Sequence, residues 1–470
     1  MSFKSNVLLI LNTFVNIYSL KYITIPFKVR SFTYNDDKNG LLKNLLYKDI
    51  LVDLCFGNPK QKISLSVGMG EYSTFIISKD APDFNGALYQ SNLSNSYYTP
   101  NDLSEIYSYQ LFNEAFPSKD SFHIDNPEIE IKNYEFFLVT KLGKNICYLP
   151  FCEVLTQPGI IGLKLFQSET YNEIVNNTNL IMQLKEREII DNYDFNFFFE
   201  SPENGHLIIG QKPHEYDNNH FKPENFIFTK IVNDNNKEMD WYLKFDNIYF
   251  GNEKLSTNKN ILLRIEYGVI NGNKNWQEIF EKNFFDKLIE EKKCFIGKGW
   301  NDGHTYIHYY CEKDIDLDSF QPVNFIINDL NFNITLTKDD LFIEKDNKLF
   351  FLIIFGHPQP VLGFPLFKKY QLIFNQDSKT VGLYSKINGK PSVPIPPSNY
   401  SKSDIKKPDS NKIIIFLLII VIIMFSIYII RRLLKSKRKN DLSNNSIESN
   451  SSLLSASIES TSSIINLSPL

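Results

Sequence analysis

Alternation of apolar and polar positions dominates the chain between residues 45 and 385. KISLSV (62–67), EIEIKNYEFFLVT (128–140), FNFFFE (195–200), HLIIG (206–210), LFFLIIFG (349–356) and YQLIFNQ (370–376) all follow the two-residue period of a pleated strand, or are short apolar runs bounded by turn residues. Asn58-Pro59 reads as the turn of a hairpin. Helical periodicity is scarce: a stretch around 165–185, and WQEIFEKNFFDKLIEEK (276–292), whose apolar face is opposed by acidic and basic residues. Each half of the region holds a strand, a Gly loop and a later apolar strand ending in Gly. The pattern predicts an all-β body over 45–385 with minor helices, built as two lobes of about 45–215 and 216–385.

Two further apolar runs carry a different signal. NVLLILNTFVNIYSL (6–20) is too short and too broken to span a bilayer comfortably, and reads as a signal peptide over 1–20. Its alternative is an uncleaved anchor. IIIFLLIIVIIMFSIYII (413–430) is longer, and at 1.5 Å per residue it would cross roughly 27 Å. Arg431, Arg432, Lys435, Lys437, Arg438 and Lys439 follow it, placing a cytosolic tail at 431–470. The proline-bearing segment 386–411 has little to bury and reads as a stalk. Together these predict a single-pass type I membrane protein at the cell surface or an endosomal or vacuolar membrane, its N-terminal side luminal or extracellular.

Composition narrows the function classes. A formal charge of -4 on a 470-residue chain gives no basic surface for nucleic acid. Fourteen per cent aromatic residues supply a large core and, beside abundant Asn, Ile and Lys, specify no binding surface. Cys294 and Cys311 enclose a polar, Gly-containing stretch and can pair in an oxidising lumen; Cys55 reads as buried, within possible reach of Cys152. No C-x-x-C is present, so metal and redox frameworks are not indicated. Sequons at Asn92, Asn176, Asn333 and Asn399 fit a glycosylated exterior. His304, His308 and Cys311 have helical metal-site spacing, but HTYIHYYC favours a strand, which would hold the two histidines about 13 Å apart. No cofactor is expected.

Five segments, taken in order, carry a family likeness. FGNPKQKISLSVGMGEYSTFII (56–77), PGIIGL (158–163), NGHLIIG (204–210) leading to DWYLKF (240–245), ILLRIEYGVI (261–270) and VLGFPLFKKYQLIFNQDSKTVGLY (361–384) resemble the successive signatures of the pepsin-like aspartic proteases. The resemblance covers about 45–385, and the closing segment is its most specific part. It implies two β lobes, each giving one catalytic Asp from an Asp-Thr/Ser-Gly loop at the floor of a cleft. Here V-G-M-G-E stands in the first loop, so Gly68 takes the place of the first Asp and Met69 that of its Thr. In the second loop Glu266-Tyr267-Gly268 replaces the motif, keeping a carboxylate but adding a methylene. Glu71 is the nearest compensating acid, at a position whose backbone is expected to run away from the pair. The family's flap is best matched by IYSYQLF (106–112).

Two carboxylates matter because they share one proton: the charged one takes a proton from the attacking water while the neutral one donates toward the carbonyl oxygen. Glu266 alone is poorly equipped for both. The resemblance thus implies a catalytically inactive pepsin-like protein that binds an extended peptide or a protein, or has a structural surface role. The alternative is an endopeptidase with a rebuilt site using Glu266. Met69 and Tyr267, both bulky, are expected to fill the cleft in part.

Overall fold

The computed structural model describes residues 22–31, 45–81, 88–99, 112–125, 128–142, 157–165, 178–232, 240–301 and 304–388. The chain divides into two compact units, 1–398 and 399–470, and every described residue belongs to the first. Among the described residues the strands form a 12-stranded and an 11-stranded sheet, the mostly β architecture expected from the alternation and consistent with a two-lobed pepsin-like domain.

The first loop is built from three short pieces of chain. Gln61–Gly68 pairs antiparallel with Lys48–Phe56 through the hairpin at Asn58-Pro59, as its sequence predicts. After the loop, the chain resumes as Phe75–Ile77. Between these two strands lies Gly159–Gly162, from much later in the sequence, running parallel to the first and antiparallel to the second. The second loop repeats the plan. Glu253–Leu263 enters, Ile270–Gly272 leaves, and Val361–Leu362 is inserted between them, parallel to the entering strand.

That insertion demands glycine at the same place in both halves. A Cβ on Gly162 would lie 2.4 Å from the Tyr72 carbonyl carbon, and one on Gly363 would lie 2.3 Å from the Tyr267 carbonyl oxygen. No side chain fits so close a backbone approach. The glycines of PGIIGL and VLGF therefore set where the loops can sit. Leu163 N–H donates to Gly68 O at 2.9 Å, and Phe364 N–H to Tyr267 O at 2.6 Å, fastening each loop to its inserted strand.

The halves are joined by buried aromatics. Trp241, fully buried, packs edge-on against Phe195 and Phe374 at 5.6 and 5.0 Å between ring centres. Its Nε1–H donates to Leu163 O at 2.9 Å, so a residue of the second half braces the strand that supports the first loop.

Several sequence expectations need revision. The strand Ile23–Ser31 pairs with Lys48–Phe56 and with Asn204–Ile209, so the body begins well before residue 45. LFFLIIFG breaks at Leu352 into Lys348–Phe351 and Ile353–Phe355; both pieces pair antiparallel with His304–Glu312, and on their other sides they pair with Phe342–Lys345 and Ile270–Gly272 respectively. The helical stretch 274–290 is present, with a turn of π-helix at Glu281–Phe285, and a second helix spans Leu180–Glu186. Cys294 and Cys311 form a disulfide, and Cys55 is a free thiol; Cys152 lies outside the described residues.

The single-pass membrane arrangement is corrected. Among the described residues no helix is long and apolar enough to cross a membrane. A span needs about 20 predominantly apolar residues. The stretch 274–290 is shorter and carries Lys274, Glu278, Glu281, Lys282, Asp286, Lys287 and Glu290. Transmembrane character, a membrane partner and a surface, endosomal or vacuolar membrane localisation are withdrawn with it. The leader 1–20, residues 389–411 of the stalk, the apolar run 413–430 and the tail 431–470 lie outside the described residues.

Candidate functional site

The two Gly loops meet at the interface of the halves. Gly68 ends its strand beside Gly162 and presents no side chain to the interface. Glu266, from the opposite loop, reaches across to the first loop's backbone. Its Oε1 accepts from Gly70 N–H at 3.1 Å and its Oε2 faces Met69 N–H at 3.4 Å. The extra methylene relative to Asp supplies that reach.

Behind Glu266 stands Arg264, two residues earlier on the same chain. Its Nε is 3.6 Å from Glu266 Oε1, and its Nη1 donates at 2.8 Å both to Met69 O and to Asp240 Oδ1. A second bond, from Nη2 to Asp240 Oδ2, makes the Arg264–Asp240 pair bidentate. All three side chains are buried, at 4–8% exposure. The site is therefore an Asp240–Arg264–Glu266 ion triad that grips the first loop from the second.

Its electrostatics follow from burial and proximity. Burial opposes the Arg264 charge, but Asp240 and then Glu266 outweigh it, so the guanidinium is held protonated beyond its usual range. Burial also pushes the Glu266 carboxyl above its ordinary 4.5, against Arg264 and the backbone donors, with Asp240 adding to the rise. A carboxyl raised in the fold stabilises it most fully at pH below the unfolded value, and that contribution is lost as pH rises through the folded value. Glu266→Gln removes this titration. Urea unfolding from pH 4 to 8 should therefore show a wild-type decline above about 4.5 that is shallower in the variant; parallel curves would contradict the assignment.

A Cβ on Gly68 would make ordinary contacts, with Ile160 Cγ2 at 3.4 Å and Glu71 Cγ at 3.7 Å, so the position is lined closely but not blocked. The Glu71 side chain lies beside the side-chain-free Gly68 and is buried. Asp49, Gly68, Glu71, Gln157, Ile160 and Glu266 help line a cavity of about 20 Å³, room for about one water. Asp49 accepts from Arg30 at 2.7 Å and from Ser66, and burial raises its carboxyl too.

Met69 is fully buried in the core, and Tyr267 packs against Tyr47 with 5.7 Å between ring centres. Leu46 and Lys48 bond the second loop's backbone, with Gly268 N–H donating to Leu46 O at 2.7 Å and Lys48 N–H to Glu266 O at 2.9 Å. Of the sequence-derived positions, Gly68 and Glu266 are brought together; residues 106–111 of the flap candidate lie outside the described residues. Arg264 and Asp240 were missed. The one signal was a basic residue inside the apolar run I-L-L-R-I-E. His304 and His308 lie on one strand, His304–Glu312, and among the described residues no group of His, Cys, Asp and Glu could hold a metal.

A family model described as eukaryotic aspartyl protease matches residues 51–386, well over half of the chain. No curated protein matches it.

Proposed function

The chain belongs to the eukaryotic aspartyl protease family, and from that premise we propose that it is a catalytically inactive member that binds a peptide or protein without cutting it. One observation carries this reading. Glu266 is tied to Arg264 and to the Gly70 N–H, while the facing position, Gly68, has no side chain at all. A shared proton needs two carboxyls across the floor, and the ion triad does other work: it holds the two loops together.

The competing reading, an endopeptidase with a rebuilt site, has one observation on its side. Glu71 lies beside the Gly68 vacancy and lines the same small cavity as Glu266. Such a pair would have to take a proton from the water between them with one carboxylate and return it with the other. Arg264 and Asp240 argue against it, because they stabilise Glu266 in one fixed role.

Binding chemistry separates the readings. A statine-type peptide owes its affinity in this family to a hydroxyl seated between two acids, so an inactive floor gives the statine and its deoxy analogue equal affinity. Titration calorimetry on the full chain should find a ratio near one. A preference of roughly 100-fold or more for the statine, lost in Glu71→Gln, would instead establish the rebuilt pair.

A further inference from the structure

The 11-stranded sheet ends, among the described residues, on the strand Phe332–Leu336, FNITL, paired on one side only, with Val323–Ile327. Open edges invite pairing with another chain, and folded proteins blunt them with Lys, Pro, bulges or covering segments. FNITL contains no charged residue and no proline, and its composition is that of an aggregation-prone strand. Something else must guard it.

Part of the guard is visible. Tyr370 Oη accepts from Thr335 N–H at 2.9 Å and donates to Thr335 O at 3.1 Å, capping that residue's outward main-chain groups. Alternate residues of a strand address the same edge. Asn333, two positions back, therefore presents its own N–H and C=O to the open side, beyond the reach of the Tyr370 cap. Its side chain is exposed, and among the described residues its amide makes no hydrogen bond. By contrast Asn179, Asn196, Asn273, Asn275 and Asn375 all use theirs. Asn333-Ile334-Thr335 is also an N-glycosylation sequon. The Cys294–Cys311 disulfide places folding in an oxidising compartment, where that modification is made.

We infer that Asn333 carries an N-linked oligosaccharide, which shields the open edge of the sheet. The donor class is an oligosaccharide joined to a lipid pyrophosphate. Asn333 Nδ2 attacks the anomeric carbon, and a C–N bond forms as the C–O bond to pyrophosphate breaks. The lipid pyrophosphate leaves with the electron pair, and the amide proton passes to a base. No oxidant or reductant takes part. A bulky, hydrated group rooted at Asn333 excludes a second strand from the part of this edge that, among the described residues, the Tyr370 cap leaves open. The inference is independent of whether the cleft is catalytic.

The full chain, isolated from the cells that make it, is treated with a peptide N-glycosidase in heavy-oxygen water and digested. The expected result is conversion of Asn333 to Asp with the heavy-oxygen mass increment. That mark should be lost in Asn333→Gln and kept in Thr335→Ser, which preserves the sequon. An unmarked Asn333 peptide overturns the assignment, whether or not Asn92, Asn176 or Asn399 is marked. Sedimentation then tests the shielding. Asn333→Gln should self-associate at concentrations where Thr335→Ser is monomeric, and identical behaviour of the two variants overturns the shielding role.

Discussion

Arg264→Met is expected to lower the free energy of unfolding by about 3–5 kcal/mol. The guanidinium is the only cation among the three buried side chains of the triad, and it bonds Asp240, the Met69 carbonyl and, at longer range, Glu266. Removing it leaves two carboxylates facing each other without compensation. The magnitude comes from stranding those charges, not from the worth of the pair, since a buried ion pair gains little over apolar groups of the same volume. The triple variant Asp240→Leu, Arg264→Met, Glu266→Gln should therefore recover most of the loss. Urea unfolding of the wild type, the single variant and the triple variant reads both effects. A single variant as stable as the wild type would mean that the triad does not clamp the loops.

Trp241→Ala is expected to cost about 3–5 kcal/mol through a different route. The indole is fully buried between Phe195 and Phe374, and its deletion opens a cavity where the halves meet. It also strands the Leu163 carbonyl, one residue beyond the glycine that holds the first loop. Trp241→Phe keeps most of the ring packing and isolates the lost N–H, at about 1–3 kcal/mol. Denaturant midpoints for the two variants should fall in that order. Equal losses would assign the whole effect to the lost N–H bond rather than to packing.

Much of this was legible in the residues because it is local. Alternation located most of the strands and Asn58-Pro59 the hairpin, while the reason for Gly162 and Gly363 emerged only with the inserted strands. The proposed substitution of both acids rests on motif spacing alone, which sets Gly68 and Glu266 against the family's two Asp positions without reference to folding. The triad could not. Arg264 and Asp240 are separated by a hairpin's length of chain, and their meeting depends on the register of Tyr242–Phe250 against Glu253–Leu263, which pairs Tyr242 with Leu262 and carries Asp240 opposite Arg264. The side chain of Glu71 could not be placed from the sequence either: its Cγ lies 3.7 Å from where a Cβ on Gly68 would stand. The strand Ile23–Ser31 escaped notice because Pro26 and the charged positions Lys28 and Arg30 weaken its signal. The membrane assignment drew on segments that the described residues do not include, and the helices within them are short or amphipathic.

The most direct test of the inactive floor is hydrolysis of a diverse peptide library by the full chain from pH 3 to 7, with and without a statine-type inhibitor, beside Glu266→Gln. The expected result is no inhibitor-sensitive cleavage from folded protein at any pH, and no difference between wild type and variant. Inhibitor-sensitive cleavage that disappears in Glu266→Gln would contradict it and make Glu266 a catalytic acid.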